Sequence, residues 1–238
     1  MYKISLENIT HSYGDKKVLD NFSFSFEEAK TTCMIGPSGC GKTTILRLIA
    51  GLEVPQMGII KIDETVATEN QKIHLPPHKR RIGFVFQDLA LWPHFTVFRN
   101  IAFGVKNRKE EKASRQVDQI LDLFGLADKA KKYPHQLSGG QKQMVAIARS
   151  LVHQPEIFLM DEPLANIDVM VKENILAHIN QLQQQLGFTM LYVTHDHQEA
   201  MQTGDTIVVM NEGVIEASGT REQLANSTKQ FIRSFLKL

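Results

Sequence analysis

The sequence predicts an α/β fold: a parallel-sheet core, an antiparallel β layer ahead of it, and a mainly helical insertion that splits it. Three observations carry this. Residues 31–35 (TTCMI) run into a glycine-rich loop, after which Ile45, Leu48, Ile49 and Leu52 recur at i, i+3, i+4 and i+7, the order strand, loop, helix. Residues 157–160 (IFLM) are apolar without a break, as expected of a parallel strand covered on both faces. Between about 88 and 153 the apolar spacing becomes helical.

Taken in order, Tyr2, Ile4 and Leu6 alternate with polar residues, and so do Phe22, Phe24 and Phe26, the pattern of a half-solvated antiparallel layer. Gly51 stands where the helix after the glycine-rich loop should stop. Further strands read at 59–62 and 82–86. The insertion holds a charged run (106–112) and a helix bearing Val117, Ile120, Leu121 and Phe124. A second helix follows residues 137–141 and bears Met144, Val145, Ala148, Leu151 and Val152. The core resumes at 157–160. A helix over about 169–186 then sets Ile175, Ile179, Leu182 and Leu186 on one face. Strands at 190–194 and 207–210, a hairpin through Asn211, Glu212 and Gly213, and two short helical stretches close the chain. Residues 1–87 thus read as the first half of the core, 88–153 as the insertion and 154–238 as the second half.

A chain of 238 residues, 42% apolar and 22% charged, has ordinary globular composition. A formal charge of +1 supplies no overall attraction to nucleic acid or to an anionic membrane, and no nucleic-acid partner is expected. Two cysteines, Cys33 and Cys40, are too few for a disulfide framework and fit a reducing cytosol. The N-terminus reads as a strand, without a basic-then-apolar leader, and no stretch approaches the ~20 apolar residues of a spanning helix. Membrane association is therefore expected only through a partner chain.

Residues 36–43, GPSGCGKT, fit G-x-x-x-x-G-K-[ST]. The glycines of the loop Gly36, Pro37, Ser38, Gly39, Cys40 and Gly41 would let its backbone wrap so that several N–H groups and a helix N-terminus point at phosphate oxygens. Lys42 would add a point charge on the β and γ phosphates, and the Thr43 hydroxyl would ligate Mg²⁺. A chance match is possible for so short a pattern; the flanking strand and amphipathic helix argue against it. Residues 158–163 (FLMDEP) end an apolar strand in two carboxylates. Asp161 would hold Mg²⁺ through water, and Glu162 would orient the water that attacks the γ-phosphate. Alone, this could equally be a solvated acidic turn. Residues 137–141 (LSGGQ) set Ser138, Gly139, Gly140 and Gln141 at a helix start, a second anion site or simply a helix cap. One nucleotide hardly needs two such cradles from one molecule, which suggests that they act between copies.

With LSGGQ between GPSGCGKT and FLMDEP, and a histidine in VTHD (193–196) downstream, the chain resembles the ATP-binding subunit of an ABC transporter over nearly its whole length. The resemblance implies a P-loop NTPase, an ABC nucleotide-binding domain, with ATP and Mg²⁺ as cofactors. It implies two copies, or a copy paired with a homologous ATPase, that sandwich two ATP molecules head to tail. Tyr13 would stack on adenine, and Thr44 falls in the nucleotide-binding set. Gln87 would reach Mg²⁺ and the attacking water. Asp168 would contact the opposing subunit, and His195 would bond the γ-phosphate and hold Glu162 in register. The bland alternatives are a turn aromatic for Tyr13, a strand-end polar group for Gln87, a helix N-cap for Asp168 and a core histidine for His195.

Residues 75–104 further resemble importer subunits of the polyamine, iron, sulfate, molybdate and sugar group. The partners this implies are integral membrane permease subunits, which would hold the cytoplasmic chain at the inner face of the plasma membrane, and a separate substrate-binding protein. The segment after Gln87 would form the groove for a permease helix. Trp92, Pro93 and Phe95 would lie in or beside it, or would pack inside the insertion. Two positions depart from the group's pattern: Met144 where arginine is usual, with an altered surface expected there, and Ile167 where leucine is usual. Only 43 residues follow His195, too few for the β-rich regulatory domain many relatives carry. An exporter ATPase is the same-fold rival. A soluble ABC protein would usually show tandem cassettes or a coiled-coil insertion, and a P-loop kinase or GTPase would leave LSGGQ unexplained.

Overall fold

Among the described residues, two sheets with one helix wedged between them form the frame. The structure, a computed structural model, describes residues 1–105, 110–165 and 167–226. The expected charged run at 106–112 and the last of the expected helical stretches fall wholly or partly outside them.

The first sheet is antiparallel, in the order β2-β1-β4-β5-β6, built from β1 (Tyr2–Tyr13), β2 (Lys16–Glu27), β4 (Met57–Ile62), β5 (Thr65–Glu69) and β6 (Lys72–Ile73). Alternation turns Ile4 and Leu6 inward; continued, it would bury Asn8. A register shift between Leu6 and Ile9, with Asn8 at φ 53°, buries Ile9 instead. The second sheet has the order β11-β10-β3-β9-β8-β7. Its parallel strands are β3 (Thr31–Ile35), β7 (Ile82–Val85), β8 (Ile157–Asp161), β9 (Thr189–Val193) and β10 (Thr206–Asn211), and β11 (Val214–Gly219) closes one edge antiparallel to β10.

The unbroken apolar run of β8 has a direct cause. Ile157 and Leu159 face a core shared with α1 (Lys42–Ala50) and the antiparallel sheet, while Phe158 and Met160 face a core built with the helices of the other side. Those helices are α2 (Val97–Ala102), α3 (Glu110–Leu123), α4 (Gly139–Leu151), α5 (Val169–Leu186), α6 (His197–Thr203) and α7 (Arg221–Ala225). β5, β6 and α6 are not among the elements expected from the sequence; the seven residues of α6 are too few to establish a period.

Gly51 ends α1 at φ 74°, as expected, and beneath it lies Arg80, 2% exposed. Its guanidinium donates to the carbonyls of Leu48 (3.1 Å) and Ile49 (2.6 Å) at the helix C-terminus, to Leu75 O (2.8 Å) and to Thr68 Oγ1 (2.8 Å) on β5. Burial pushes its pKa down to about 10, so the side chain stays charged at neutral pH and complements the negative end of α1. Arg80→Met strands several buried carbonyls at once and is expected to cost about 3 kcal/mol, a melting-temperature fall of roughly 6–12 °C. A melt within about 2 °C of wild type would show that this bridge between helix and sheet is dispensable.

Candidate nucleotide site

The parallel order β3-β9-β8-β7 lines up four strand ends along one carboxyl edge. The loop 36–41 leaves β3, His195 follows β9, Asp161 and Glu162 end β8, and Gln87 follows β7. Four sequence-distant motifs thus meet where open α/β sheets place ligands.

The glycine-rich loop is folded on itself. Gly36 lies so close to β10 that a Cβ would sit 2.3 Å from Met210 O, and Gly41 takes φ 107°, a region open mainly to glycine. Lys42, 5% exposed, donates to Gly36 O at 2.8 Å and to Pro37 O at 2.9 Å. Its ammonium therefore sits inside the loop, with the buried Thr44 behind it. Pro37, Ser38 and Gly39 form the exposed lip, beside a concavity of about 560 Å³ into which Lys16 and Lys17 also face. Cys40 is buried at 4% exposure, with Sγ against Gly36. It serves the loop as packing. Alkylation of Cys40 is therefore expected to run slower than that of a free thiol, and slower still with MgATP, as read by mass spectrometry. Equal labelling with and without nucleotide would argue against this placement.

Thr43 Oγ1 donates to Asp161 Oδ1 at 2.9 Å, so a hydroxyl and a carboxylate already converge at the head of α1. Burial holds the Asp161 pKa up, aided by neighbouring Glu162, while the bond from Thr43 opposes the rise. These are hard oxygen donors, and they fit Mg²⁺, which takes one or two protein oxygens and keeps water and phosphate for the rest. Among the described residues no group of three His, Cys, Asp or Glu could cage a metal.

Glu162 has φ 44°, uncommon for a non-glycine residue, and its N–H donates to Val193 O at 2.9 Å. This bond ties the end of β8 to that of β9 and brings the Glu162 carboxylate to His195, whose Nδ1 donates to Oε2 at 3.0 Å. The His195 side chain is 58% exposed, so the core-histidine alternative fails. Gln87 is exposed and begins a turn that continues through Leu89 (φ 61°) and Ala90 (φ 43°). Arg149 of α4 holds that turn, donating to Leu89 O (2.7 Å) and Ala90 O (2.5 Å).

Tyr13, 46% exposed, lies at the end of β1 with its ring T-shaped against that of His11 at 4.9 Å; its hydroxyl donates to Glu53 and lies 3.4 Å from Thr44 Oγ1. Burial, and then the Glu53 bond, raise its pKa. Ser138 caps α4: its hydroxyl accepts from Gln141 N (3.3 Å), and Gln141 Oε1 accepts from Ser138 N (3.0 Å). Gly139 and Gly140 are overlain by Ile167 and Val171, and a Cβ on Gly140 would lie 2.7 Å from Val171 Cγ1. Among the described residues no hydrogen bond joins 138–141 to the loop at 36–43. Asp168 stands at the N-cap of α5, exposed, without a side-chain cap bond.

A sequence profile of the ABC transporter family matches residues 19–165. The chain belongs to the ABC transporter family. It is 44% identical over 98% of its length to the spermidine/putrescine import ATP-binding protein PotA of Acetivibrio thermocellus. It is 41% identical over 99% to the trehalose/maltose import ATP-binding protein MalK of Thermococcus litoralis, and 41% over 98% to the Fe(3+) ions import ATP-binding protein FbpC of Brucella abortus. It spans 66%, 64% and 65% of those three relatives. Its fold matches the ATP-binding cassette MJ0796, solved as a dimer in a post-hydrolysis state with ADP and Pi, with a TM-score of 0.81 and 33% identity over 91% of this chain and 98% of that one.

Met144 is half-buried and packs against the helical-side core, so it replaces arginine partly inside the fold and partly at the surface. Trp92 packs within the insertion, its ring 4.2 Å from Phe103 and 4.9 Å from the Arg149 guanidinium. Asn100 pins residues 92–96 from beneath, donating to Trp92 O and Phe95 O at 3.1 Å and accepting from Trp92 N at 3.0 Å. Phe103, not singled out in the sequence, is 63% exposed. With Pro77, His78, Arg81 and Ile82 it lines an open groove of about 670 Å³ between the insertion and β7. Among the described residues no helix is long and apolar enough to cross a membrane.

Proposed function

We propose that the chain is the ATP-hydrolysing subunit of an ABC importer. The observation that carries this is the convergence of Lys42, the Thr43–Asp161 pair and the Glu162–His195 pair on adjoining strand ends. The loop and Lys42 bind the phosphates, Tyr13 carries the adenine, and Glu162 accepts the proton of the attacking water while His195 fixes the carboxylate and meets the γ-phosphate. Thr43 and Asp161, with Gln87, would hold Mg²⁺, which neutralises charge on the β and γ oxygens when bound. Asp168 and residues 138–141 serve the second copy, Ser138 and the N–H groups of α4 supplying the other wall of each ATP site.

Residues 88–153 act as the body that meets the permease, and the Phe103 groove receives a short helix of it. Such docking keeps the chain at the inner face of the plasma membrane. Relatives at 41–44% identity are named for polyamine, sugar and iron import alike, which supports cargo selection by the permease and a separate binding protein. The test is ATP-driven transport in proteoliposomes with the permease. Uptake that fails with Lys42→Ala supports the reading; ATP-driven efflux makes the chain an exporter subunit, and hydrolysis indifferent to any permease makes it a soluble ATPase.

A further inference from the structure

His195 is presented on a segment whose neighbours are fixed while its own ring is exposed. Just behind it lies Glu199, its side chain 3% exposed, with both carboxylate oxygens engaged. The hydroxyls of Tyr192 and Thr194 donate to Oε2 at 2.9 and 2.7 Å, and Lys172 Nζ reaches Oε1 at 2.6 Å. Lys172 Nζ also donates to Asp196 Oδ2 at 3.1 Å. Asp196 Oδ1 in turn caps α6 by accepting from Gln198 N, and Asp196 N donates to Thr194 Oγ1 at 3.0 Å. The residues on both sides of His195 are thus bound into one polar network. The ring's distance to Glu162 is set by backbone that this network fixes.

Lys172 brings a second element into it. It lies in the first turn of α5, its N–H donating to Asp168 O at 2.8 Å, one step from the stretch that ends at Asp168. With the Lys172 side chain 17% exposed and that of Glu199 nearly closed off, this is not a solvated surface pair of negligible worth. Burial opposes the Lys172 charge, yet its bonds to Glu199 and Asp196 outweigh it and raise its pKa.

We propose that Lys172 is a positioning residue for hydrolysis: through Glu199 and Asp196 it clamps the start of α5 to the segment presenting His195, so that a shift at Asp168 moves His195 relative to Glu162. This rests on the hydrolytic reading above. The test compares the wild-type chain with Lys172→Met, Lys172→Arg, His195→Ala and the Lys172→Met/His195→Ala double variant. Lys172→Met is expected to lower kcat roughly 10- to 100-fold. KM and MgATP affinity should stay within about twofold, and Lys172→Arg should restore most of the rate. In the His195→Ala background the same change should cost nothing further. Equal losses in both backgrounds, a loss confined to KM, or an unchanged kcat would overturn the proposal.

Should Lys172→Met fail to fold, Glu199→Gln keeps an oxygen for Tyr192 and Thr194 while removing the charge that Lys172 meets, and must reproduce the same pattern. Amide hydrogen exchange separates this inference from the functional reading. Faster exchange over 193–199 in Lys172→Met, with 42–46 unchanged, supports the clamp, and unaltered exchange over 193–199 rejects it. Absence of ATPase activity in wild type would count against the functional reading alone.

Discussion

Glu162→Gln is expected to leave MgATP affinity near the wild-type value and to lower kcat on the order of 100- to 10,000-fold. The amide fills the carboxylate's volume, so the bond from Glu162 N to Val193 O and the approach of His195 survive in geometry. What disappears is the charge that accepts the water's proton. The loss should fall on kcat, because the interaction belongs to the transition state and not to bound ATP. Single-turnover hydrolysis alongside nucleotide titration separates the two quantities. Turnover within about threefold of wild type would remove Glu162 from this role.

Lys42→Ala acts on the other term. The ammonium is held by two carbonyls of its own loop at 2.8 and 2.9 Å, so its position is set before any phosphate arrives. Its removal deletes a charge-assisted contact and leaves those carbonyls without their donor. MgATP binding is expected to weaken roughly 10- to 100-fold, from the ~1.5–3 kcal/mol that such contacts supply. Titration with a fluorescent nucleotide measures this directly. An affinity equal to that of wild type would mean that the phosphates lie elsewhere.

Much of this arrangement was legible in the sequence because it rests on local patterns. Strands buried on both faces write unbroken apolar runs, as at 157–160, and helices write a period, as at Ile45, Leu48 and Ile49 of α1; Leu52, which continues that spacing, lies beyond the Gly51 stop and is exposed. The loop at 36–43 and the pair Asp161–Glu162 fall at strand ends, where the motif itself marks the place. Features that depend on distant partners left no such trace. Arg80 under Gly51, Arg149 beneath the turn at Leu89 and Ala90, and Lys172 against Glu199 are single polar residues whose partners lie far away in sequence or on another element. Composition and spacing are blind to such pairings. Asp168 shows the converse: capping preference placed an aspartate at the start of α5, yet its side chain makes no cap bond, leaving its carboxylate exposed. Cys40 lies in the loop motif, yet its burial against Gly36 depends on the fold and is not written in the motif.

Sedimentation velocity of purified Glu162→Gln protein across an MgATP titration, with its permease added in a parallel arm, tests most directly whether two copies share each ATP. A two-chain species holding two ATP per pair is expected, dissolved by Ser138→Arg at the start of α4 and by Lys42→Ala in the loop. A protein that stays a single chain at saturating MgATP in both arms would contradict the account.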